Sequence, residues 1–190
     1  MTKCFWLTQY YFDTETTGTD PTEHKIITIQ WQELDERTGE PIDELQILKE
    51  WESSEKKILK EFLPKIQCNY PWDFIIVGKN LLFDFNFLEH RIKKYGLAGK
   101  DGCKEFNLAH VYSRVFIDLK HPLILMNNVQ FPEWDRVLDK DGSLAKVCVP
   151  DLYKAKKYTE IIKYIKKETK ITLAGFKMLR EQMPLLRRHL

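Results

Sequence analysis

The chain has 190 residues, of which 43% are apolar and 31% charged, and its formal net charge is +2. These values fit one globular domain covering residues 1–190, and no apolar run approaches the roughly 20 residues of a membrane span. The charge is unevenly spread: residues 154–190 carry 11 Lys and Arg against 3 Asp and Glu, whereas residues 1–153 carry 19 against 25.

Three β-strands are predicted in the first third of the chain. Residues 5–12 (FWLTQYYF) are rich in aromatic side chains, and residues 25–34 (KIITIQWQEL) alternate with a period of two. In the second segment we expect Ile27 and Ile29 to share one face. A turn then leads into a third strand at residues 42–51 (IDELQILKEW). The three strands should form an antiparallel meander.

Helices and strands alternate in the rest of the chain. A helix is predicted at residues 53–66, beginning at Ser N-cap candidates and ending near Pro64. A buried strand follows at residues 73–80, and then a helix at residues 81–96 that is closed by Gly96. A fifth strand is predicted at residues 113–119. Two helices are predicted after it, at residues 151–170 and 173–183. This order predicts an α/β fold with a mixed five-stranded sheet, antiparallel in its first three strands and flanked by helices.

Two acids, Asp13 and Glu15, follow the first predicted strand. In an extended chain, residues i and i+2 point to the same face, with Cα atoms about 7 Å apart. Carboxylates placed this way repel each other unless a cation lies between them, and Mg²⁺ and Mn²⁺ bind such oxygens. The pair is therefore a candidate metal site, although a D-x-E pair taken alone is more often surface charge.

A third acid, Asp84, falls in the first turn of the helix predicted at residues 81–96. A helix N-terminus stabilises an anion, which is the more usual explanation of a lone acid there. Asp84 is also surrounded in sequence by Phe83, Phe85 and Phe87. These aromatic neighbours favour a dry or metal-bound carboxylate instead.

Two segments resemble motifs of the DEDD (DnaQ-like) 3′–5′ exonuclease superfamily. FDTETTG, at residues 12–18, is similar to its first motif, and VGKNLLFDFNFLEHRIKKYG, at residues 77–96, to its second. The resemblance implies a ribonuclease-H-like fold in which four acids surround two divalent ions, Mg²⁺ or Mn²⁺. One departure is Lys79, where the family often has His before the Asn matched by Asn80. We expect Lys79 to be tolerated there, near a phosphate.

The fourth acid of that family follows either an H-x-x-x-x-D or a Y-x-x-x-D pattern. No His of this chain has Asp five residues later, and no Asp follows Asp151. The candidate is YIKKE, in which Tyr164 and Glu168 share a helix face. It resembles the Tyr-type branch, especially proofreading-like exonucleases related to family-B polymerases. Glu replaces Asp, and its extra methylene could weaken or shift a Mg²⁺ site.

Two other interpretations of this segment stay open. Asp151 is a less favoured substitute for Glu168, because the family spacing does not support it. Alternatively, Tyr164 is a buried aromatic residue and Glu168 a solvated helix acid.

The resemblance gives each candidate residue a role. Four carboxylates would bind the two metal ions: Asp13, Glu15, Asp84 and Glu168. Tyr164 would orient the attacking water, since a phenol with a pKa near 10 is a poor general base at neutral pH. The expected substrate contacts lie next to the two motifs: Thr16, Thr17, Lys79, Asn80, Phe83 and Phe87.

The predicted function is hydrolysis of single-stranded or frayed DNA or RNA from the 3′ end, releasing nucleoside monophosphates. The basic C-terminal helices would hold the phosphate backbone, although a solvated Lys-rich face explains their charge equally well. The alternative is a catalytically weak or inactive relative that binds nucleic acid or a replication or repair protein.

Four cysteines stand far apart in the chain without a C-x-x-C pair: Cys4, Cys68, Cys103 and Cys148. This spacing argues against a zinc site and fits reduced, mostly buried thiols, with a single disulfide left open. The N-terminal residues lack a long apolar region and a small-residue cleavage site, so we expect no signal peptide. A cytoplasmic protein without membrane contact follows from these features.

Overall fold

The structure is a computed structural model that describes residues 8–67, 74–97, 115–126, 139, 142, 144 and 146–186. Cys4, Cys68, Cys103 and the start of the first predicted strand lie outside these residues. Cys148 is an exposed free thiol. Among the helices within the described ranges, none is long and apolar enough to cross a membrane.

Five strands of the described residues form one mixed sheet. Their bounds are β1 Thr8–Thr16, β2 Ile26–Leu34, β3 Gln46–Lys49, β4 Phe74–Gly78 and β5 Phe116–Asp118. The order across the sheet is β3-β2-β1-β4-β5. Antiparallel pairing joins β3 to β2 and β2 to β1, and parallel pairing joins β1 to β4 and β4 to β5. The predicted sheet and its antiparallel meander are confirmed.

Five α-helices accompany the sheet in the part of the chain described. They are α1 Glu55–Gln67, α2 Leu81–Lys94, α3 Lys120–Met126, α4 Val149–Lys154 and α5 Tyr158–Leu186. The predicted end of α1 near Pro64 is wrong, because the helix continues for three more residues. Ile66 in that last turn is buried in the core beside Phe62, and this packing holds the turn in place.

The two predicted C-terminal helices are also divided differently. The helical conformation is interrupted at Lys156, whose φ is 55°. A single helix of 29 residues then begins at Tyr158. Leu173 and Phe176 of α5 are buried in the core that contains Tyr11 of the sheet. This burial carries the helix through the residues where the sequence predicted an interruption.

Helices cover both faces of the sheet, and side chains of β1 alternate between them. Phe12 packs with α1 and α2, whereas Tyr11 packs with α3 and α5. Ile29 joins the first core, but Ile27 packs with α4 and α5, so the expected shared face of these two residues is wrong. The pairing shifts by one residue at the end of β1, which leaves Ile27 in a bulge of β2.

Candidate metal centre

Three carboxyl groups converge where α5 covers the end of β1. Asp13 and Glu15 lie on the β1 face of Tyr11, and Glu168 reaches them from α5. One oxygen atom from each carboxyl lies within 4.8 Å of the other two. Glu15 is 9% exposed and Glu168 6%. We call these three residues the acidic cluster.

Asp13 is oriented by two donors that the sequence analysis did not identify. The Tyr11 hydroxyl and the Gln30 side-chain amide each donate to Asp13 Oδ2 at 3.2 Å. Gln30 pairs with Asp13 across β1 and β2, and the Thr28 hydroxyl donates to its carbonyl oxygen at 3.0 Å. Burial, then the Asp13 charge, raises the pKa of Tyr11 well above its usual value, which keeps the hydroxyl a donor.

The sequence contains a signal for the contact of Tyr11 with Asp13 but none for the contact of Gln30. Tyr11 precedes Asp13 by two positions on the same strand face, so its contact could have been expected from the sequence alone. The contact of Gln30 could not have been expected in this way, because it depends on the exact register of β1 and β2.

Glu15 carries the feature that most strongly indicates a cation. Its Oε1 atom is buried and has no hydrogen-bond partner among the described residues. Burial raises the pKa of Glu15 well above its ordinary value, and the charges of Glu168 and Asp13 raise it further. An unsatisfied carboxylate oxygen in such a place costs free energy, which a bound cation would remove. The all-oxygen donor set fits Mg²⁺ or Mn²⁺.

Lys79 enters the acidic cluster from the end of β4. Its Nζ lies 2.5 Å from Glu168 Oε1, forming an ion pair. Burial, followed by the charge of Glu168, raises the pKa of Asp13 to about 7, and the Lys79 ammonium opposes that rise. The predicted position of Lys79 near a phosphate stays untested, since its contact here is a carboxylate.

Asp84 lies beside the acidic cluster and is turned toward β1. Its Oδ1 accepts hydrogen bonds from the Thr14 backbone N–H at 3.0 Å and from the Thr14 hydroxyl at 2.6 Å. It is buried, and burial followed by the charge of Asp13 raises its pKa well above the usual value. The structure therefore brings three predicted acids together and leaves the fourth adjacent.

Asp118 on β5 anchors the helix that carries Asp84. It accepts hydrogen bonds from the backbone N–H groups of Asn80 at 2.8 Å and Leu81 at 3.0 Å. Asn80 has a left-handed backbone, with φ 62°, and its side-chain oxygen accepts a hydrogen bond from Lys120 at 2.8 Å. The α2 N-terminus is thus capped from a neighbouring strand, which a local sequence pattern does not reveal.

The predicted substrate contacts Thr16 and Thr17 lie at the end of β1 and just after it. The Thr16 hydroxyl donates to the Gly18 carbonyl at 2.6 Å, and the Thr17 hydroxyl accepts from the Lys25 N–H at 3.1 Å.

On α2, Phe83 stacks at a tilt on Phe87, with ring centroids 4.9 Å apart. Phe87 is enclosed in the core of the protein. Its side chain is 0% exposed and belongs to the core between the sheet, α1 and α2. The substrate contact of Phe87 stays a prediction, and its buried position does not support it. The aromatic spacing that suggested it arises from core packing.

Tyr164 lies one helical turn before Glu168 on α5. It lines a cavity of about 470 Å³ together with Lys146, Lys163 and Lys167. Burial, then the charge of Glu168, raises the pKa of Tyr164 far above its ordinary value, so the hydroxyl stays protonated. Asp151 also lines this cavity but is exposed and lies outside the acidic cluster.

A mixed five-stranded sheet in this strand order, with helices on both faces, is the ribonuclease-H-like fold that the sequence predicted. The chain belongs to the RNase_H superfamily, whose family model matches residues 10–147. That match includes Asp13, Glu15 and Asp84 but ends before Glu168. No curated protein matches the chain in sequence.

Among solved structures, E. coli exonuclease I is similar to this chain in fold. Its complex with a dT13 oligonucleotide aligns with a TM-score of 0.55 and 15% identity, over 96% of this chain and 43% of that one. Its zinc-bound complex with single-stranded DNA gives a TM-score of 0.54 and 15% identity, over 96% and 42%. The chain therefore spans less than half the length of the exonuclease chains that it matches.

Proposed function

We propose that this protein is a metal-dependent 3′–5′ exonuclease that acts on single-stranded or frayed DNA or RNA ends. The observation that carries the proposal is the acidic cluster, whose oxygens converge within 4.8 Å while Glu15 Oε1 is buried without a hydrogen-bond donor among the described residues. The fold similarity to exonuclease I bound to single-stranded DNA supports the substrate class.

In this proposal the acidic cluster holds divalent ions, with Asp84 as a fourth acid. Divalent ions held there would supply a water of lowered pKa for attack on a phosphodiester and positive charge near the departing oxygen. Tyr11 keeps Asp13 oriented through its hydrogen bond. Hydrolysis of the terminal phosphodiester would release a nucleoside monophosphate.

Tyr164 has the role of the tyrosine in the Tyr-type branch of the DEDD exonucleases. Its protonated hydroxyl can donate a hydrogen bond to the attacking water or to a phosphate oxygen near Glu168. Three lysines line the same cavity: Lys146, Lys163 and Lys167. They would neutralise the phosphates on the 5′ side of the 3′-terminal nucleotide. Thr16, Thr17 and Asn80 stay predicted contacts of that nucleotide.

The test measures the direction and the metal dependence of digestion. DNA and RNA strands labelled at either end are incubated with chelator-treated protein, and then with Mg²⁺ or Mn²⁺. We expect stepwise loss from the 3′ end that requires the metal and that Glu15→Gln lowers by at least about 100-fold. Glu44→Gln is the matched control, because Glu44 is exposed and lies outside the acidic cluster. Equal activity of Glu15→Gln and wild type would overturn the proposal.

A second candidate function is binding of nucleic acid by a weak or inactive relative. The ion pair between Lys79 and Glu168 favours it, because the pair engages one acid of the cluster. Tight binding of the labelled strands without digestion in either metal would support this second candidate.

A further inference from the structure

Lys79 places a positive charge inside the acidic cluster. It directly follows Gly78, where an added Cβ atom would come within 2.6 Å of the Phe12 carbonyl oxygen. This close approach of β4 to β1 fixes the point from which the lysine side chain extends. The side chains of Lys79 and Glu168 are only 20% and 8% exposed. An ion pair removed from water to this degree interacts more strongly than a surface pair.

A divalent ion bound among the same carboxylates would meet this ammonium group. Like charges repel strongly in a partly buried site, so the ion and Lys79 compete for Glu168. Lysine carries a compact charge on a flexible four-carbon stem, and the partial exposure of Lys79 gives the ammonium a path to solvent.

We propose that Lys79 is a built-in counter-ion of the acidic cluster, which a divalent metal ion displaces from Glu168 when it binds. The inference rests on the metal site of the proposed function. Two properties follow from it. Without metal, Lys79 offsets the repulsion among the acids, so removing its charge lowers stability. With metal, removing the charge lets the ion bind more tightly. A lysine that only supported the fold would produce the first effect without the second.

Calorimetric titration of chelator-stripped protein with Mn²⁺ separates these roles. Lys79→Met should tighten Mn²⁺ binding by about tenfold or more, and it should lower the thermal unfolding midpoint in chelator. Lys79→Arg keeps the charge and should bind Mn²⁺ as wild type does. Lys25→Met is the matched control, because Lys25 pairs with Glu50 at 2.8 Å outside the acidic cluster. It should leave the Mn²⁺ affinity unchanged.

The outcomes distinguish this inference from the proposed function. If wild type binds Mn²⁺ and Lys79→Met binds it no more tightly, the counter-ion inference fails while the metal site stands. If neither protein binds Mn²⁺, the metal site fails and the inference with it. Mn²⁺ binding by Lys79→Met alone would support the inference strongly. Should Lys79→Met not fold, Lys79→Gln gives a second neutral variant for the same titration.

Discussion

Asp13 titrates differently in the folded and unfolded protein. Its pKa rises from an ordinary 3.8 to about 7, because the carboxyl is buried and Glu168 is close by. Between these pH values the folded protein holds a proton that the unfolded chain has released. The free energy of unfolding of the metal-free protein should therefore fall as the pH rises from about 4 to about 7.

Denaturant unfolding in the presence of chelator measures this effect. The wild-type protein should be less stable at pH 8 than at pH 5, and Asp13→Asn should reduce that difference by about 2–3 kcal/mol. Asp151→Asn makes the same chemical change at an exposed position, so it serves as the control. A wild-type protein whose stability rises between pH 5 and pH 8 would contradict the expectation.

Single residues of the site differ in how far the sequence reveals them. Strand periodicity places Asp13 and Glu15 on one face, whereas Glu168 became a candidate because YIKKE resembles the Y-x-x-x-D motif of the DEDD exonucleases. The pairing of Lys79 with Glu168 is not revealed by the sequence, because it joins residues 89 positions apart and depends on where α5 crosses the sheet. Long-range charge pairs need the tertiary structure before they can be recognised.

Helices α1 and α2 are joined by a buried ion pair. Glu55 Oε2 lies 2.6 Å from Arg91 Nη2, and Glu55 Oε1 accepts from Arg91 Nε at 2.7 Å. The same carboxylate accepts from the Ile26 N–H at 2.8 Å and from the Tyr95 hydroxyl at 2.8 Å. Arg91 also donates to the Pro21 carbonyl at 3.3 Å. One acid therefore connects α1, α2 and β2 and, through Arg91, the loop between β1 and β2.

Removing the charge of Glu55 should destabilise the protein strongly. Glu55→Gln leaves the Arg91 guanidinium buried without its counter-ion, which costs about 3–5 kcal/mol. Glu52→Gln breaks the exposed pair between Lys49 and Glu52 and should cost less than about 1 kcal/mol. Chemical denaturation at neutral pH compares the two variants, and similar losses in both would contradict the expectation.

At the scale of elements, the sequence predicted the type and order of the strands better than the ends of the helices. Strand alternation and turn residues are local signals, and the sheet that they predicted is the one observed. The continuation of α1 past Pro64 and the single long α5 depend on packing against the sheet. The bulge that moves Ile27 to the opposite face depends on strand pairing, which no local pattern encodes.

Over the whole molecule, several of the positive charges of the C-terminal segment lie along α5, next to the acidic cluster. Exposed lysines of α5 include Lys163, Lys166, Lys167 and Lys170. Two of them, Lys163 and Lys167, line the cavity that contains Tyr164. A polyanion held there would be close to the carboxylates, whereas a merely solvated helix face would bind nothing specific. The salt dependence of binding distinguishes the two interpretations.

Neutralising these two lysines should weaken binding of single-stranded DNA and reduce its dependence on salt. Each phosphate contact contributes about 0.7 to the slope of log affinity against log salt, so Lys163→Gln with Lys167→Gln should reduce the slope by about 1.4. Fluorescence anisotropy of a labelled strand in chelator measures the slope without digestion. The control is Lys56→Gln with Lys57→Gln on α1, which packs on the opposite face of the sheet. Both double variants remove two positive charges, so equal slopes would show that only overall charge matters and would contradict a phosphate-binding role of the cavity.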